Sequence, residues 1–204
     1  DFILSQIIIW GAVAVVGVGL AVFLFGEMRK KDTFSIDMKL GMGTREWLLK
    51  LGAVILLYEL LYFGFGYFVA WKSSAVLEFY QGTDPGSFFA QMRNVATNTP
   101  GLIPFQAFRA LLWAAFALPV ISMLRHRPWI GALLTGLFLS LPMNIPHIFP
   151  NQYMPADVRF VHFVETASST FIFGGLMFCL LYRSHRSVLD IFRVKIEQVA
   201  EISG

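Results

Sequence analysis

Five long apolar runs, separated by short polar stretches, dominate the pattern along the chain. They cover residues 2–25, 47–71, 102–124, 129–149 and 158–182. Each is close to the roughly 20 residues that a helix needs to cross the hydrocarbon core of a bilayer. The first run is too long for the apolar core of a signal peptide and its basic residues follow it, so we interpret it as a spanning helix. The pattern predicts an all-α integral membrane protein, a bundle of about five transmembrane helices.

Two further helices are predicted outside these spans. Asp84 followed by Pro85 is a helix-start signal, with Asp84 as N-cap and Pro85 as first helical residue. Residues 85–96 are therefore expected to form a short surface helix on the extracytoplasmic side. Residues 185–204 repeat apolar positions at helical spacing and are predicted to form an amphipathic C-terminal helix. This tail, separate from the bundle of residues 1–184, would lie on the membrane or pair with a partner helix.

Composition and charge support a membrane protein and suggest its orientation. Hydrophobic residues make up 56% of the chain and charged residues only 14%, with a mean hydropathy of +0.64. Twelve of the 16 Lys and Arg residues fall on one side of the predicted spans. The positive-inside rule places that side in the cytoplasm, together with the C-terminus, and we expect a plasma membrane of the bacterial type. No basic face suggests nucleic-acid binding, and the single Cys179 rules out a disulfide within the chain.

Ionisable residues inside the predicted spans are the candidates for function, because each needs a partner or a water-filled cavity. Arg109 and Glu165 both lie about 10 Å below the predicted outer membrane surface, at ~1.5 Å per helical residue, so they are expected to pair. Arg159, His162 and Glu165 follow at helical spacing on one face. The candidate polar pocket in the outer half of the bundle comprises Arg109, Asn144, His147, Arg159, His162 and Glu165.

The pocket has several interpretations. Its arginines suit an anionic group, and its histidines and Glu165 suit proton transfer. The two histidines and Glu165 match the pattern of a metal site only weakly, and we predict no metal site. A polar network that only holds the helices together is the alternative. Glu59 lies near the middle of its span and is the candidate for proton or ion coupling. Its structural alternatives are a neutral carboxyl bonded to a neighbouring helix and a carboxylate paired with Arg109 instead of Glu165.

No catalytic motif, nucleotide-binding loop or cofactor signature is present in the sequence. The leading hypothesis is a subunit or accessory partner of a membrane complex, in contact with lipid and with a membrane-protein partner or further copies of itself. A proton- or ion-coupled carrier of a small solute is the first alternative. A membrane-embedded enzyme acting on a lipid, with His162 and Glu165 as acid and base, is the second.

Overall fold

The computed structural model describes residues 41–150 and 152–185, and these residues form helices and turns without any strand. The six α-helices are α1 (Thr44–Phe68), α2 (Ser74–Phe79), α3 (Phe88–Asn98), α4 (Leu102–Leu124), α5 (Pro128–Ile148) and α6 (Ala156–Leu181). A 3-10 turn, Ala70–Lys72, follows α1. Four helices, α1 with this turn, α4, α5 and α6, are long and apolar enough to cross a membrane. They confirm a multi-pass helical protein. The predicted span 2–25 and residues 186–204 of the predicted tail lie outside the described residues.

The four long helices begin and end close to the predicted positions. Pro128 opens α5 at the first helical position, where its missing N–H costs no hydrogen bond. Pro142 and Pro146 lie inside α5, and the helix nevertheless continues to Ile148. Apolar composition and length are therefore sufficient to locate these helices in the sequence.

Short connections join α4 to α5 and α5 to α6, so these neighbours run in opposite directions. The four long helices pack around an apolar core. The most extensive contact is between α5 and α6, while α1 packs against both α4 and α6. Gly136 and Gly174 allow the close approach of α5 and α6: a Cβ on Gly174 would lie 2.8 Å from the Gly136 Cα and 2.7 Å from the Thr135 carbonyl oxygen. Small residues commonly permit such contacts between transmembrane helices.

The connection from α1 to α3 differs in detail from the sequence prediction. The helix predicted over residues 85–96 begins at Phe88, and Ser87 caps it by accepting a hydrogen bond from the Ala90 N–H at 3.1 Å. Asp84 instead forms a turn, accepting the Gly86 N–H at 2.9 Å and pairing with Lys72 at 3.0 Å. Gly86 has a φ of +76°, whereas residues of a right-handed helix have negative φ, so the helix cannot include Gly86. The prediction of Asp84 as N-cap and Pro85 as first helical residue is therefore wrong.

We call the end of the bundle that carries this connection the outer end, following the predicted orientation. The inner end contains its own polar cluster, centred on Lys50. The Lys50 ammonium lies 2.9 Å from Glu46 Oε1 and donates to the Arg183 carbonyl at 2.6 Å. Glu46 also accepts hydrogen bonds from the Ser184 hydroxyl and the His185 N–H. This cluster ties the start of α1 to the residues that follow α6.

Candidate functional site

A cavity of about 200 Å³ lies among the long helices in the outer half of the bundle. Its charged and imidazole side chains are Arg109 from α4 and His162 and Glu165 from α6. Hydroxyl groups from α1 and α6 supply most of the remaining polar surface. The other lining residues are Tyr58, Leu61, Tyr62, Met143, Thr166, Ser169 and Thr170.

Arg109 reaches the cavity with a guanidinium that is held mainly by its own helix. Its Nη1 donates to Oε1 of Gln106 at 3.1 Å, and Gln106 is almost completely buried. The guanidinium also lies 5.9 Å from the ring centroids of Tyr58 and Phe105, within the range of cation–π attraction. Within the described chain no carboxylate forms an ion pair with Arg109, so the pairing expected with Glu165 is not formed. A guanidinium in this setting suits an anionic ligand.

His162, Glu165 and Tyr80 form a hydrogen-bonded chain along one side of the cavity. His162 Nδ1 lies 2.9 Å from Glu165 Oε2, and His162 Nε2 lies 3.3 Å from the Tyr80 hydroxyl. Partial burial, and then the nearby Glu165 carboxylate, raise the pKa of Tyr80. In the tautomer with its proton on Nδ1, His162 donates to Glu165, and its Nε2 accepts from the Tyr80 hydroxyl. This chain orients the imidazole and connects it to the residues that follow α2.

The floor of the cavity is aromatic and closes onto the apolar core. The Tyr58 and Phe173 rings meet edge to face, with centroids 4.9 Å apart. Towards the inner end, Val54, Met177 and Phe178 are fully buried. The polar cavity is therefore separated from the inner Lys50 cluster by packed apolar side chains.

The remaining predicted pocket residues lie around the cavity without lining it. The His147 ring is 5.8 Å from the His162 ring, and its Nδ1 is buried without a hydrogen-bond partner in the described chain. Asn144 is buried between α5 and α6 and donates to the Ser140 carbonyl at 2.7 Å. Arg159 lies near the outer end, where its Nη1 is 3.5 Å from the Met154 carbonyl oxygen. Three of the six predicted pocket residues thus share one cavity.

Glu59 lies apart from this cavity, on another face of α1. It lines a second depression of about 200 Å³, formed by α1, α3 and the start of α4. Its six neighbours there are all apolar: Leu56, Leu60, Phe63, Phe88, Met92 and Ile103. We call this depression the Glu59 groove.

Sequence reasoning missed the aromatic part of the cavity. Leu61 and Tyr62 follow Tyr58 by three and four residues. This spacing places the three residues on one helix face, and it could have been found in the sequence. Tyr80 gave no such signal, because it follows the short helix α2 and reaches His162 only through the tertiary fold.

The described residues contain no group of three or more His, Cys, Asp or Glu side chains arranged to hold a metal ion. No protein-family model, curated protein or solved structure matches the chain. The geometry of the cavity and the groove is therefore the basis for inferring a function.

Proposed function

We propose that this chain is a ligand-binding subunit or accessory partner of a membrane complex, and that its outer cavity binds a small solute with an anionic group. The observation that carries the proposal is the position of Arg109, a cation in the cavity with no carboxylate bonded to it among the described residues. The volume lies below the range of about 300–1,000 Å³ typical of drug-sized ligands, which favours a small molecule.

The hydrogen bonds around the cavity favour ligand binding over purely structural cross-linking of the helices. Arg109 bonds to Gln106, three residues earlier on α4, and His162 bonds to Glu165, three residues later on α6. The Ser169 hydroxyl likewise donates to the Thr166 carbonyl of its own helix at 3.3 Å. Polar side chains that hold transmembrane helices together bond across the interface. Of the bonds made by these side chains, only the one between His162 and Tyr80 joins different elements, and the others lie within one helix beside an open volume.

The packed core on the inner side of the cavity favours a binding protein over a carrier. The apolar core beneath Tyr58 and Phe173 separates the cavity from the inner end. An ion-coupled carrier using Glu59 together with Arg109 would place both in one pathway near the membrane midplane. Because Glu59 lies in a separate groove, we place the carrier second.

The lipid-modifying enzyme is supported by one specific observation. Tyr80, His162 and Glu165 form a hydroxyl–imidazole–carboxylate chain, an arrangement used for acid–base catalysis. A phenol is a weaker candidate for a nucleophile than a serine or cysteine, so this chain is better suited to orienting a ligand. An enzyme would lose turnover in His162→Gln while still binding its ligand.

Native mass spectrometry of the protein, extracted gently from its own membranes, tests the proposal. We expect the wild type to carry extra mass from a small acid and from a partner protein. Arg109→Gln should lose the small molecule, because the amide keeps some hydrogen bonding but removes the positive charge.

Arg93→Gln is the matched control, since Arg93 is an exposed arginine on α3 whose charge lies outside the cavity. It should retain the ligand at the level of the wild type. Ligand-free wild-type protein, or equal ligand occupancy in Arg109→Gln and the wild type, would refute the binding proposal. Absence of any partner protein would refute the subunit role separately.

A further inference from the structure

We propose that the Glu59 groove is the docking site for a transmembrane helix of a partner protein, and that this helix presents a Lys or Arg side chain to Glu59. The inference rests on the proposed role as a subunit and specifies the surface and chemistry of the contact. It is independent of the ligand in the outer cavity.

The first argument is the depth of Glu59. It lies nine positions before Phe68 at the end of α1, which at ~1.5 Å per residue places it about 13 Å from that end. The hydrocarbon core is about 30 Å thick, so the carboxyl lies close to its middle. A glutamate side chain is too short to reach the headgroup region from there. Its polar group must be satisfied at that depth.

The second argument is the lack of a partner for Glu59 within the part of the chain that the structure describes. Among the described residues Glu59 forms no hydrogen bond or ion pair, and its groove neighbours are apolar. The sequence of the predicted span 2–25 contains no Asp, Glu, Lys, Arg or His. No cation therefore lines the groove among the described residues.

The third argument is the direction in which the groove faces. Leu56 and Leu60 flank Glu59 on the same stripe of α1 and are 62% and 68% exposed. Ionisable residues in transmembrane helices almost always face protein or water rather than lipid. A carboxyl on an outward stripe indicates that another protein covers this stripe. Because the groove has a single carboxyl and no cation, a basic side chain is the complementary group.

The experiment uses the full-length chain in its own membranes, with a photo-crosslinking amino acid in place of Leu60. The crosslinked peptide is identified by mass spectrometry in wild-type and Glu59→Gln backgrounds. We expect a transmembrane segment of another protein with Lys or Arg near its middle, and about tenfold less of the adduct in Glu59→Gln. Glu78→Gln is the matched control, because Glu78 is an exposed carboxylate on α2 and should leave the yield unchanged.

Charge exchange provides the decisive step. Glu59→Lys should abolish the adduct, and replacing the partner's basic residue by Glu should restore it. An undiminished adduct in Glu59→Gln would overturn the docking inference while leaving the subunit role intact. Adducts only with lipid, with residues 2–25, or with a second copy of this chain would also overturn it. Far-UV circular dichroism and an unfolding midpoint equal to that of the wild type establish that the variants are folded.

Discussion

Adding a single methyl group at Gly174 should separate α5 from α6. A Cβ at this position would lie 2.7 Å from the Thr135 carbonyl oxygen and 3.0 Å from the Gly136 nitrogen. These are backbone atoms, so a change of side-chain rotamer cannot relieve the contact, and the two helices must move apart. Overpacking of this kind costs about 1–3 kcal/mol. The same substitution also gains up to about 1 kcal/mol because alanine favours helix more than glycine does.

Gly175 separates these two effects. A Cβ on Gly175 would lie 3.5 Å from the Ala132 carbonyl oxygen, an ordinary van der Waals contact. Gly175→Ala therefore gains the stabilisation from the higher helix propensity of alanine without the steric clash. Because this gain is nearly the same in both variants, the difference between their free energies of unfolding reports the clash alone. We expect Gly174→Ala to be less stable than Gly175→Ala by about 1–3 kcal/mol.

The assay is equilibrium unfolding in mixed micelles with increasing denaturing detergent, followed by far-UV circular dichroism. The outer cavity provides a second readout, because α5 contributes Met143 and α6 contributes His162 and Glu165. Separation of the helices should lower ligand retention in Gly174→Ala but not in Gly175→Ala. Equal unfolding midpoints for the two variants would show that α5 and α6 do not pack as described.

Two predictions concern charges at the ends of the bundle. Lys50→Met removes the cation paired with Glu46. Because Lys50 is 8% exposed and Glu46 24%, the free energy of unfolding should fall by about 1–3 kcal/mol, between the values for exposed and buried ion pairs. Arg45→Met, at an exposed neighbouring position, should change it by less than about 0.5 kcal/mol, and equal losses would contradict this. The hydrogen bond from the Gly86 N–H, and then the Lys72 ammonium, hold the pKa of Asp84 below its ordinary value. The charged carboxylate therefore stabilises the fold above pH ~4, and this contribution is lost as the pH falls through the lowered pKa. Asp84→Asn should therefore be less stable than the wild type at pH 6 and approach it at pH 3 in unfolding measurements, whereas a gap independent of pH would exclude this role.

Local composition was sufficient to predict the long helices. The apolar runs at 102–124 and 129–149 match α4 and α5 closely, since a spanning helix must be both apolar and of sufficient length. Turn chemistry was harder to predict. Asp84 and Pro85 form a helix-start signal, yet Ser87 caps the helix, because Asp84 is engaged by Gly86 and Lys72.

The sequence by itself also predicted the relative heights of polar residues along the long helices, because a helix rises about 1.5 Å per residue. Arg109 and Glu165, matched in depth by this argument, do line one cavity. Only the tertiary structure decided the direction of each side chain, since rotation of a helix about its axis is set by packing. Tyr58 and Glu59 are adjacent in sequence but point about 100° apart around α1, and so one lines the cavity and the other the groove.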